Sequence, residues 1–165
     1  MSRIYIDKTA QVDDSVSIGE GTKIWANTQI RERVVIGKNV TIGRNVYVGP
    51  GVIVGDNVKI QNNALIYEPA KIEFGCFIGP GVILTNDKYP KAVNHDGSVK
   101  MEKDWDKAGV IVKKNASIGA GAVCIAPLII GEGSMVGAGS IVTKDVPEGT
   151  LVLGNPAKGQ DKVRT

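Results

Sequence analysis

Aromatic side chains are scarce in this chain, at 5% of 165 residues, and histidine occurs once. A core without large rings has to be narrow. No apolar run approaches the ~20 residues that cross a bilayer. Met1–Ala10 is polar and mixed, so neither a leader peptide nor a membrane anchor is expected. Cysteine occurs only at positions 76 and 124, too seldom for a disulfide framework. Both fall in the inward columns described below and read as small buried hydrophobes, not as a disulfide pair or a nucleophile. With no leader in view, this composition points to a cytoplasmic protein. An excess of one charge is also missing: 20 Lys and Arg stand against 17 Asp and Glu, a net +3. Such a balance suits small anionic ligands and is too diffuse for a nucleic acid.

What the chain does have is a period of six. Aliphatic residues recur at Ile18, Ile24, Ile30, Ile36, Ile42, Val48, Val54, Ile60, Ile66, Ile72, Ile78 and Leu84, and Ile6 and Val12 extend the series backwards. Six matches neither an α-helix nor a heptad, but it suits a solenoid with short, equal flat sides. A second column, two residues earlier, is small or β-branched: Val34, Val40, Val46, Val52, Val58, Ala64, Ala70, Cys76 and Val82, preceded by Val16, Thr22 and Thr28. Residues two apart on a strand share a face, so both columns are expected to point inward. Gly often follows the anchor, and Gly or Asn comes two residues later, as at Asn39 and Gly51. These residues reach positive φ at low cost, so each hexad reads as a short strand plus a tight corner. The architecture expected is an all-β parallel β-helix, each strand pairing with the coils above and below.

The pattern breaks once. Val112, Ile118, Cys124, Ile130, Val136 and Val142 resume the anchor column, but the step from Leu84 to Val112 is 28 residues, not a multiple of six. The chain is therefore expected to be one solenoid domain over 1–165, with repeat blocks at 6–84 and 110–147, a loop insertion at about 85–109 and a short C-terminal tail from 148. The insertion carries the single histidine, His95, and one of the two tryptophans. Loops on rigid scaffolds commonly carry function.

The hexads, together with Gln61-Asn62-Asn63, Thr85-Asn86-Asp87-Lys88-Tyr89-Pro90 and Gly154-Asn155-Pro156-Ala157, resemble the hexapeptide-repeat acyltransferases. Within that group the stretch 61–94 is similar to the N-acetyltransferases of nucleotide-linked 3-amino sugars. The resemblance, not the period, implies three hexads per coil and a left-handed helix, against the usual right-handed crossover. It also implies a homotrimer with sites at subunit clefts. The implied reaction is acetyl transfer from acetyl-CoA to the amine, at C3, of a dTDP- or UDP-linked sugar for surface glycans such as lipopolysaccharide. No metal is implied.

That chemistry needs a neutral amine, a proton acceptor and donors for the developing oxyanion. Asn86 aligns with the active-site asparagine of the resembled enzymes, where its amide orients the amine or donates to the thioester carbonyl. His95 is the one imidazole available as a base. The resembled enzymes manage without a protein base, the departing sulfur taking the proton. Asn62, Asn63, Tyr67, Glu68, Asp87, Lys88 and Tyr89 are the candidate sugar contacts. Along the second repeat block Gly119, Ala120 and Ala138 present small corners past which a pantetheine chain can run. Lys144, Lys158 and Arg164 are candidates for the CoA phosphates, and Pro156 belongs to the loop closing over the adenine. Trp25, Arg31, Arg33, Arg44 and Tyr47 are unranked candidates for the nucleotide base.

Two other readings stay open. One is O-acetylation of a hydroxyl, a poorer nucleophile that would need His95 as base. The other is a non-catalytic scaffold that binds through its flat faces. A γ-type carbonic anhydrase, the zinc-binding relative of this fold, is excluded because it needs three histidines.

Overall fold

The structure, a computed structural model, describes residues 3–163. It is a left-handed parallel β-helix with three flat faces. The first face stacks the anchors Ile6, Ile24, Ile42, Ile60, Ile78, Ile118, Val136 and Val152. The second stacks Val12, Ile30, Val48, Ile66, Leu84, Cys124 and Val142. The third stacks Ile18, Ile36, Val54, Ile72, Val112 and Ile130. Outside the insertion and the last coil, partners such as Ile24 and Ile42 lie 18 residues apart, so three hexads close one coil. Successive coils are joined by backbone bonds such as Lys23 N to Val40 O at 2.8 Å.

Both inward columns are buried as the alternation requires. Ile60, Ile66, Ile72, Val58 and Ala64 have no exposed surface. Two threonines occupy the small column at the N-terminal end, and both are paid their hydrogen bonds: the Thr22 hydroxyl donates to Gly37 O at 2.9 Å and Thr28 to Gly43 O at 2.7 Å. The first coil is less covered, and Ile6 is 43% exposed.

Cys76 and Cys124 are buried and unpaired. Burial pushes their thiols up, to about 11 and about 12, and the Cys76 sulfur sits 3.0 Å from Lys113 O. Thiolate, not thiol, is the nucleophile. Neither cysteine is expected to react with a maleimide at pH 8 in the folded protein, and both should react in denaturant. Labelling of native protein, read by mass spectrometry, would contradict this.

The corners separate two roles that the sequence pattern had merged. The Gly or Asn three positions after the anchor has positive φ, as at Asn39 (54°), Asn57 (58°) and Gly81 (69°), and Arg33 takes the same conformation (58°). The glycine directly after the anchor does not. At Gly79 a Cβ would lie 2.7 Å from Ala120 N and from Ile118 O in the next coil. That glycine is required by close approach of backbones, not by turn geometry.

The C-terminal segment differs from the expected tail. Val146 pairs with Ile130 on the third face, and Val152 with Val136 on the first; both are buried. The strand Thr150–Gly154 thus adds another side to the solenoid, and Ala157–Lys162 returns antiparallel on it. The step from Val142 to Val146 is shorter than six, so the anchor column slips out of register and a strict six-residue pattern stops there. Gly154 N donates to the buried Ser140 hydroxyl at 3.2 Å, tying this hairpin to the coil beneath it.

Candidate functional site

The insertion leaves the second face after Leu84 and returns to the third face at Val110, so it stands on the corner between them. Its stem is closed by Ala108 N donating to Asn86 O at 3.1 Å. Lys107 straps the returning arm to the coil below, with its ammonium 2.6 Å from Glu102 Oε1 and 3.3 Å from Glu68 Oε1. The Glu102 hydrogen bond and then Glu68 hold Lys107 above its ordinary pKa. Glu68 has room there because position 49 is glycine: a Cβ at Gly49 would lie 2.5 Å from Glu68 Oε2. Gly109 is needed for the same reason, since its Cβ would meet Pro69 O at 2.6 Å. Farther out, Val93 pairs with Val99 across a turn in which Asp96 Oδ1 accepts from Ser98 N at 2.9 Å. A single 3₁₀ turn, Glu102–Asp104, follows. The insertion is therefore an internally bonded arm.

Two cavities open in it. Asn86 and Asp87 line one of about 420 Å³ with Lys91, Lys100 and Trp105. His95 lines another, of about 460 Å³, with Asn94, Asp104 and the same two lysines. Asn86 and His95 thus belong to different cavities. Among the described residues the half-buried Asn86 side-chain amide has no hydrogen-bond partner within the chain and opens to the cavity. Asp87 Oδ1 accepts from Tyr89 N at 2.8 Å. Tyr89 is 73% exposed, with the Lys88 ammonium 5.6 Å from its ring, and neither lines the Asn86 cavity. Tyr67 stacks at 5.2 Å on Tyr47, whose hydroxyl is raised by burial and then by Glu68. Lys91, Lys100, Trp105 and Lys107 were not legible as site residues, because nothing in a loop of mixed charge says which lysines converge.

Asn62, Asn63, Gly119, Ala120 and Ala138 lie at the other end of the second-face strands, on the corner with the first face, whereas Arg31, Arg33 and Lys144 follow second-face strands on the insertion's own corner. Asn62 Oδ1 accepts from Arg44 N at 3.0 Å, and Asn63 Oδ1 from Asn45 Nδ2 at 3.1 Å. Asn62, Arg44, Trp25 and Ala26 enclose about 270 Å³. Of the unranked base candidates, Trp25 and Arg44 therefore come together, while Arg31 pairs with its neighbour Glu32 at 2.9 Å in the corner that follows Ile30. Higher on the Asn62 corner, Gly121 N donates to Pro80 O and Gly139 N to Ala120 O, both at 2.8 Å. Ala138 packs so closely over Gly119 that a Cβ at 119 would lie 2.5 Å from its N. Small side chains thus line a ladder up the corner. At the top, Lys144, Pro156 and Lys158 line one cavity of about 380 Å³ walled by Val142, Val146 and Val152. Arg164 lies outside the described residues. Among the described residues no cluster of His, Cys, Asp and Glu is placed to hold a metal, and no helix is long and apolar enough to cross a membrane.

The chain is thus a three-faced helix of hexads with a ladder of small corners and one projecting arm. Family comparison agrees in two places: residues 33–68 match the bacterial transferase hexapeptide (six repeats), and residues 109–144 match the hexapeptide repeat of succinyl-transferase. The chain is 62% identical, over 48 residues, to the dTDP-3-amino-3,6-dideoxy-alpha-D-galactopyranose 3-N-acetyltransferase of Aneurinibacillus thermoaerophilus, which covers 29% of this chain and 25% of the relative. A GDP-perosamine N-acetyltransferase variant from Caulobacter crescentus, solved with CoA and GDP-perosamine, superposes with a TM-score of 0.58 at 25% identity, over 98% of this chain and 58% of that one. A hexapeptide transferase family protein from Anaplasma phagocytophilum shares the fold, with a TM-score of 0.64 at 24% identity over 98% and 84%. The chain spans a quarter to a third of the length of the first curated relatives it matches.

Proposed function

We propose that the protein is an acetyl-CoA-dependent N-acetyltransferase acting on the amine of a nucleotide-linked amino sugar, at C3 of a dTDP- or UDP-sugar. The observation that carries this reading is the unpartnered Asn86 amide, lining a cavity at the foot of the insertion with Asp87 and Trp105. The relatives named for amino-sugar N-acetylation supply the substrate class.

In this reaction the neutral amine attacks the thioester carbonyl carbon and a C–N bond forms. The Asn86 amide donates to the oxyanion that develops. The tetrahedral intermediate collapses, the C–S bond breaks, and the departing thiolate takes the proton from the ammonium. CoA runs along the ladder of Gly119, Ala120 and Ala138, with its phosphates towards Lys144 and Lys158. Asn62 and Asn63 sit at one end of the second-face strands and Asn86 at the other. A homotrimer accounts for that split, since a neighbouring chain can bring its own corner to the insertion. Tyr67 and Glu68 flank the foot of the arm on the sugar side. Cytoplasmic surface-glycan synthesis is the setting this activity fits.

His95 is excluded from the chemistry in this scheme because it lines the outer cavity. The test is thiol release with acetyl-CoA and a panel of dTDP-, UDP- and GDP-linked amino sugars. Wild type and His95→Ala are expected to turn over within about threefold of each other, against the 10²–10⁴-fold that a general base contributes. A loss of that size in a folded His95→Ala protein would restore the histidine as base and favour O-acetylation. No turnover on any amine, with no CoA binding by calorimetry, would leave a scaffold.

A further inference from the structure

We propose that Lys91 and Lys100 form a diphosphate-binding site that holds the nucleotide half of the substrate across the insertion, an inference that rests on the transferase reading above. Both lysines line both cavities of the arm. They mark the boundary between the cavity of Asn86 and Trp105 and the cavity of His95 and Asn94. Among the described residues neither lysine has a carboxylate within ion-pair distance, whereas Lys107, on the same arm, is paired with two. Lys91 is exposed and Lys100 half-buried, and with neither ammonium committed to a carboxylate both can meet an anion.

One carboxylate lines each cavity, Asp104 beside His95 and Asp87 beside Asn86, and each keeps its negative charge but is bonded to donors of the arm and not to either lysine. Asp104 Oδ2 accepts from Met101 N at 2.8 Å and from Asn94 Nδ2 at 3.2 Å, and Asp87 Oδ1 is held by Tyr89 N. These carboxylates are engaged with the arm's own backbone and amides. Lys100 is itself fixed by its main chain, its N donating to Ala92 O at 3.0 Å, and is half-buried.

Shape selects the ligand. Each cavity falls within the usual range for small-molecule sites, and the two share Lys91 and Lys100 in their lining. An elongated ligand with its negative charge in the middle fits: sugar towards Asn86, diphosphate between the ammonium groups, nucleoside towards His95. Lysine serves such a group as a point charge. CoA also carries a diphosphate, but Lys144 and Lys158 line a separate cavity at the top of the helix that can take it. The shared chemistry is therefore a nucleoside diphosphate, and the nucleotide sugar is the source assigned to this site.

The experiment is calorimetry on the whole chain with inorganic pyrophosphate, dTDP, UDP, GDP and CoA. The proteins are wild type, Lys91→Ala, Lys100→Ala, the double variant and Lys103→Ala, a lysine that lines neither cavity. Each single change at 91 or 100 is expected to weaken nucleoside-diphosphate binding about tenfold, the low end for a charged hydrogen bond. CoA binding and the Lys103→Ala protein should be unchanged, and melting temperatures should match. Diphosphate binding that is absent in wild type, or unaltered in the double variant, overturns the site. Equal weakening of CoA assigns the lysines to the donor and also overturns it. Lysine-dependent diphosphate binding without acetyl transfer to any amine would keep the site and remove the transferase reading. Transfer with lysine-independent binding would do the reverse.

Discussion

Asn86→Ala is expected to lower kcat by about 10²–10³-fold, the range measured when one donor to a developing oxyanion is removed. KM for both substrates should change little, because the interaction strengthens only as charge moves onto the carbonyl oxygen. The fold should survive, since the contact that closes the stem uses the backbone oxygen of residue 86, which alanine retains. Steady-state thiol release together with a melting curve checks the prediction. A kcat within about threefold of wild type would remove Asn86 from the chemistry and leave it a loop-stem residue. Asn86→Asp is a useful companion: it keeps the size and replaces the donor by a carboxylate that repels the oxyanion, so it should be no better than alanine.

Gly79→Ala should be strongly destabilising, as at the other corner glycines that face the backbone of the next coil. Its Cβ would sit 2.7 Å from the backbone N of Ala120 and the backbone O of Ile118. Backbone atoms in a ladder cannot rotate away, so coils must part. Overpacking of this kind costs about 3 kcal/mol. Gly51→Ala is the contrast. Gly51 has φ +67° but no atom within 4 Å of its would-be Cβ, so only the left-handed conformation is penalised, at about 1 kcal/mol. Urea midpoints of the two variants should fall in that order. The opposite order would mean that φ, not coil spacing, governs these corners.

The same pair shows what was legible beforehand. The six-residue period led to the two inward columns and the corners directly, because periodicity is a property of sequence and burial follows from it. Two features were hidden by the same reasoning. Glycines that serve spacing look identical to glycines that serve turns, since the neighbour that matters is 18 or more residues away. The last coil was lost because Val146 arrives early, and a strict-period reading ends where the step changes. The insertion that carries the candidate site was legible through the break in period, and Asn86 entered as a candidate through resemblance. The convergence of Lys91 with Lys100 and the strap of Lys107 between Glu68 and Glu102 were not. They depend on how an irregular arm folds back on itself, and no period encodes that.

The stacking of Leu84, Cys124 and Val142 in successive coils makes the solenoid a ruler. The foot of the arm and the top cavity are separated by whole coils of roughly 4.8 Å each. Gain or loss of one hexad would swing everything beyond it onto the next face, about a third of a turn away. Only a change of three hexads would preserve the facing, and it would alter the reach by one full increment. Distance between the two cavities is therefore quantised in this architecture. Lengthening the chain by a few residues can reshape a loop here, but it cannot fine-tune the span.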